Sequence, residues 1–104
     1  MIDGQLASLT ARATQRALVV KVDGTWEKET VRAMQRRCWP AGSAVDGLLG
    51  PQTVRAVQRR VGAGVDGVWP SIRSVANSGI VTFNTAARSE TTRKLQKALN
   101  SGKF

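Results

Sequence analysis

Val45-Asp46-Gly47-Leu48-Leu49-Gly50-Pro51-Gln52-Thr53-Val54-Arg55-Ala56-Val57-Gln58-Arg59 is the most regular stretch of the chain, and its pattern recurs on both sides. Seven residues after Asp46-Gly47 stands Thr53, as Thr30 follows Asp23-Gly24 and Thr10 follows Asp3-Gly4. From each threonine the text reads Thr-x-Arg-Ala-x-Gln-Arg, over Thr10–Arg16, Thr30–Arg36 and Thr53–Arg59. A fourth version keeps Thr91, Arg93, Gln96 and Lys97, with Asn84 in the place of its aspartate. Asp66-Gly67 lacks the threonine, and Arg73 holds that position. Recurrence at this spacing predicts one all-α domain over residues 1–104, built of about five turn-helix repeats of roughly 18–23 residues, near 2–18, 22–38, 45–61, 65–77 and 83–99.

Each unit has its own local logic. Counting from the threonine, the first, fourth and eighth positions are mainly apolar: Val31, Met34 and Cys38, then Val54, Val57 and Val61. At the helical period they share one face, so each segment predicts a short amphipathic helix. Asp-Gly upstream is a turn signal, because glycine takes positive φ and aspartate accepts bonds from the following N–H groups. The structural turn motif thus comprises Asp23, Gly24 and Thr30; Asp46, Gly47 and Thr53; and Asp66 and Gly67. Leu6, Trp26, Leu49 and Trp69, three residues past each aspartate, are expected to anchor the turns on the core. Gly50-Pro51 predicts a helix start, and Gly62 with Gly64 its stop. The degenerate stretch 71–77 predicts a short or irregular helix, and Ile80–Phe83 is apolar enough to be extended.

Composition narrows the function. The net charge is +9 and the isoelectric point near 11.4, which points to an anionic partner: nucleic acid, an acidic membrane surface or a bacterial wall. No histidine is present, the aspartates belong to turns and the glutamates form no evident pair, so acid–base catalysis is not expected. The lone Cys38 replaces a core valine or leucine and reads as a buried thiol; no metal, cofactor or disulfide is expected. No apolar run approaches the length of a membrane span. The first repeat starts directly after Met1, which suggests a monomeric module cut from a longer chain, without a signal peptide of its own.

Val45 to Gln58 resembles the core motif of the peptidoglycan-binding domain family, Asp-Gly-x-aromatic/aliphatic-Gly-Pro-x-Thr-x-x-Ala-Val. Val22 to Gln35 is similar, with Glu27-Lys28 in place of Gly-Pro, and Val65 to Trp69 matches the front half. The resemblance implies a non-catalytic helical module that holds a covalently linked hydrolase on wall glycopeptide, as in phage endolysins and bacterial autolysins. It implies action at the bacterial cell wall, reached by release at lysis if the protein is made by a phage. Two departures stand out: the aromatic-glutamine pair common at the end of the family's main helix is replaced by Arg60-Val61, and two motifs become five.

Candidate ligand contacts are Arg32 and Arg55, Gln35 and Gln58, and Trp26 and Trp69. Arg32/Arg36 and Arg55/Arg59 are like-charge pairs at i,i+4, each costing about 0.2–0.5 kcal/mol in a helix, which suggests an anion-binding stripe as well as a solvated face. The glutamines lie at the stripe's edge, placed either to bond a neighbouring turn or to touch a ligand. The tryptophans read as core anchors or as sugar-stacking platforms. A basic helical nucleic-acid-binding protein is the alternative reading, since arginine and glutamine also read base edges.

Overall fold

The computed structural model describes residues 4–38 and 45–104. Four helices, each eleven residues long, follow the threonine-led text: α1 Ser8–Leu18, α2 Lys28–Cys38, α3 Pro51–Val61 and α4 Glu90–Asn100. Between α3 and α4 runs an antiparallel hairpin, β1 Ile72–Val75 and β2 Val81–Phe83, with a register irregularity between Ile72 and Ser74. The domain is therefore mostly helical but not all-α. The helix expected near 71–77 is strand β1. Half-buried Ile72 and Val75 flank exposed Arg73 and Ser74, a break in strict alternation that coincides with the register irregularity between Ile72 and Ser74.

The helix ends follow local chemistry. Pro51 opens α3 behind Gly50, and Gly62 closes it in the left-handed region at φ 80°. Ser89 caps α4 by accepting from the Thr92 N–H. α1 ends on Val19 at φ 59°, a conformation that a β-branched side chain rarely takes.

α1 packs on α2, α2 on α3, α3 on α4 and α4 back on α1, so the four helices close a ring. Its interior holds Leu6, Ala11, Trp26, Val31, Met34, Leu49, Val54, Val57, Trp69 and Leu95, all buried. The turn anchors Leu6, Trp26, Leu49 and Trp69 are all among them. Trp26 meets Trp69 edge-on at 5.7 Å and Phe83 at 5.1 Å, which ties the hairpin to the core. A backbone bond from Val81 N to Trp26 O, 2.9 Å, fixes the same junction. At the hairpin turn a methyl on Gly79 would overlap Lys28 Cγ, so the close approach needs glycine.

The hairpin reshapes the start of α4. Thr92 sits where the other helices bury Ala11, Val31 or Val54, and it is fully buried. Its hydroxyl joins Ser71 Oγ at 2.8 Å, Ser89 Oγ at 3.0 Å and Trp69 Nε1 at 2.8 Å. A polar residue is stable here because every partner is a hydroxyl or indole N–H already inside the fold.

At the other end of the ring Phe104 is buried under the helix C-termini. Arg37 donates to Phe104 O at 2.6 Å and to Ala17 O at 3.2 Å, and Arg60 donates to Phe104 O at 2.9 Å. These bonds gather the ends of α1, α2 and α3 around one residue.

Candidate functional site

The buried face of α2, α3 and α4 includes two polar residues that an apolar stripe leaves out, the threonine and the glutamine five residues on; in α1 Gln15 is buried and Thr10 half-buried. Gln35 is completely buried. Its Oε1 accepts from Gly47 N at 3.0 Å, and its Nε2 donates to Asp46 Oδ1 at 2.9 Å, Leu48 O at 3.1 Å and Thr53 Oγ1 at 2.9 Å. An amide carries two N–H bonds, so three acceptors around Nε2 means one proton is shared. One glutamine thereby holds the whole turn of the next segment together with the threonine of the next helix.

Gln15 binds Asp23, Gly24, Thr25 and Thr30 by the same atoms. Gln58 binds Asp66, Gly67, Val68 and Thr91. Gln96 reaches back to Gly4 N at 2.9 Å, Gln5 O at 3.2 Å and Thr10 Oγ1 at 3.0 Å, which closes the ring. Asp3, the aspartate expected for that turn, lies outside the described residues.

Two sequence assignments change here. Asp66-Gly67 has its threonine after all: Thr91, on the far side of the hairpin, shares Gln58 with it. Asn84 forms no such turn; its N–H bonds Ser71 O at 2.8 Å and its carbonyl accepts from Ala87 N at 3.1 Å. The text near 65–77 and near 83–99 thus serves one turn and one helix, separated by the hairpin.

The candidate contacts separate sharply. Gln35 and Gln58 have no polar atom left for a ligand, because burial and the turn consume the amide. Trp26 and Trp69 are core, with Nε1 of Trp26 directed to Ala11 O and that of Trp69 to Thr92, so neither offers a face for stacking. Arg32 and Arg55 remain exposed. Their stems lie across the next turn: a Cβ on Gly47 would meet Arg32 Nε at 3.3 Å, and one on Gly67 would meet Arg55 Nε at 3.0 Å. Arg12 covers Gly24 and Arg93 covers Gly4 in the same way. These glycines need positive φ, 75–80° at the four turns, and also a bare face for the arginine.

Asp23, Asp46 and Asp66 hold the turns as exposed carboxylates. Each accepts from the N–H two residues on, Thr25, Leu48 or Val68, at 2.9 Å. That bond first, and the glutamine amide second, keeps each carboxyl below its ordinary value. Arg32 adds a smaller lowering at Asp46, as Arg55 does at Asp66. The result is a guanidinium and a carboxylate displayed side by side at these turns, with backbone and glutamine bonds fixing the carboxylate.

Cys38 is half-buried near Arg60 and Arg37, and burial pushes its thiol up to about 11 against their opposing charge. Among the described residues no group of histidine, cysteine, aspartate or glutamate could hold a metal ion. Among the described residues no helix is long and apolar enough to cross a membrane.

In comparisons with known proteins, no family model matches the chain, and no curated protein or solved structure matches it significantly.

Proposed function

We propose that the chain is a repeat-built, non-catalytic peptidoglycan-binding module that holds a linked lytic enzyme on the bacterial wall, as the wall-binding part of a phage endolysin or autolysin. The observation that carries this reading is the exposed arginine laid over an Asp-Gly turn at Arg32/Gly47 and Arg55/Gly67. A carboxylate beside a guanidinium suits a peptide that bears both an amine and a carboxylate, as wall stem peptides do. Arginine pairs with the carboxylate by a charge-assisted fork, and the turn aspartate takes the amine. The resemblance of Val45–Gln58 to the family motif points the same way.

The test is sedimentation with insoluble peptidoglycan stripped of phosphate polymers, at physiological salt. Replacing Arg32 and Arg55 by alanine would remove the stem that covers each glycine as well as the charge. Arg32→Met with Arg55→Met keeps most of the stem and is the cleaner variant. The pair should lose most of the sedimentation while keeping the parent's circular dichroism. Unchanged sedimentation at constant fold overturns the site. Failure of the parent to sediment, together with a shift of duplex DNA at the same salt, favours the nucleic-acid reading instead.

A further inference from the structure

The chain's net charge is not spread over its surface. The last helical turns carry Arg16, Arg36, Arg37, Arg59, Arg60 and Lys97. Lys94 and Lys103 join them in a groove with Arg60, Lys97 and Ser101, between the ends of α3 and α4. The described acids lie elsewhere: Asp23, Asp46 and Asp66 in turns, Glu29 and Glu90 in first helical turns, and Glu27 just before α2. The eight remaining basic residues nearly balance the chain's seven acidic ones. Almost all of the +9 therefore belongs to the end of the ring where the helices finish.

Helix dipoles explain only part of this. A helix C-terminus carries about half a negative charge, so four of them together offer about two. Arg37 bonds Ala17 O at the end of α1, and Arg37 and Arg60 both bond Phe104 O beyond α4, so these two are engaged within the fold. Arg16, Arg36, Arg59, Lys94, Lys97 and Lys103 remain as excess, with like charges crowded at one pole. Such crowding costs stability unless an anion shares it.

We infer that this pole docks a linear phosphodiester polymer of the bacterial wall, of the poly(glycerol phosphate) kind, beside the turn-borne site proposed for the stem peptide. A polymer with closely spaced charges fits a multi-helix cluster better than isolated carboxylates do. Among the described residues at this end no exposed aromatic side chain offers a platform for bases, Phe104 being buried, which suits a base-free polymer. The inference rests on the wall reading for the partner's source, but its residues are separate from Arg32 and Arg55.

The probe is poly(glycerol phosphate), with duplex DNA and polyglutamate at equal charge concentration beside it. Lys94→Gln/Lys97→Gln/Lys103→Gln should weaken poly(glycerol phosphate) binding on the order of tenfold at physiological salt and lower its log–log salt slope by about two. A charge-matched variant away from the helix C-termini, Lys28→Gln/Arg73→Gln/Arg88→Gln, should change it less than about threefold. Equal losses in both variants overturn the pole as the site. Tighter binding of DNA or polyglutamate than of poly(glycerol phosphate) by the parent overturns the partner. If the lysine variant still sediments with phosphate-free peptidoglycan, the two sites are separate as inferred. If the parent fails to sediment there but binds the polymer through the lysines, the stem-peptide reading falls and the pole stands.

Discussion

Gln58 on α3 donates to Thr91 on α4 at 3.1 Å, across 33 residues of chain that include the whole hairpin. The same amide nitrogen bonds Asp66 Oδ1 at 2.8 Å and Val68 O at 3.1 Å. One side chain therefore decides where α4 begins relative to α3, and the hairpin can be inserted without disturbing the junction.

Gln58→Ala should be among the most damaging single changes. It strands Asp66 N, Gly67 N and Thr91 Oγ1 at the helix junction. Each buried group left without a partner costs about 1–3 kcal/mol, and water can reach the turn side, so a loss of about 2–4 kcal/mol is expected. Urea unfolding measures it. A loss below about 1 kcal/mol would show that water replaces the amide and that the clamp is not a principal tie of the ring.

Val19→Gly should stabilise the protein. Val19 is 87% exposed, so little packing is lost, and its φ of 59° carries strain that glycine lacks. Relief of about 1–2 kcal/mol is offset in part by glycine's greater unfolded-state entropy, leaving a gain of up to about 1 kcal/mol. The melting temperature should rise by a few degrees. A fall would mean that the helix end adapts to valine without strain.

Acid should loosen the turns. The carboxyls of Asp23, Asp46 and Asp66 lie below 3.8 in the fold, through the backbone N–H bonds of Thr25, Leu48 and Val68 first. A folded value below the unfolded one gives stability that is complete above the unfolded pKa and lost as pH falls through the folded value. Thermal melts should therefore be flat with respect to these groups above about pH 5 and fall below about pH 4. Asp46→Asn/Asp66→Asn should show a shallower fall. An identical slope would assign acid sensitivity to other carboxyls.

Cys38 should be a slow thiol. With its pKa raised to about 11 by burial, only about one part in ten thousand is thiolate at pH 7. Disulfide-exchange reagents should label the native protein orders of magnitude more slowly than the urea-unfolded chain. Comparable rates would place the thiol in water.

The helices were legible in the sequence because their signals are local. Period, Asp-Gly turns, Gly50-Pro51 and Gly62 each act within a few residues, and α1 to α4 lie where the threonine-led text puts them. The anchors Leu6, Trp26, Leu49 and Trp69 were legible for the same reason. The exposed arginines at the second position, their recurrence and the turn glycines also stood in the text; that each arginine lies over the glycine of the next turn did not. The first hairpin strand was hidden by a short, mixed stretch that helical and extended patterns fit about equally, whereas the apolar Ile80–Phe83 read as extended and contains β2.

What the sequence by itself determined was the four threonine-led helices, the Asp-Gly turns at Asp23, Asp46 and Asp66 and the large positive charge. What only the tertiary structure decided was which turn each glutamine holds. Gln15 and Thr30 are 15 residues apart, Gln58 and Thr91 are 33, and Gln96 and Gly4 are 92. A polar side chain on a helix edge has no local reason to point inward. It does so here because the neighbouring turn brings unpaired N–H and C=O groups to it, and burying those groups unpaired would cost more than burying the amide with them.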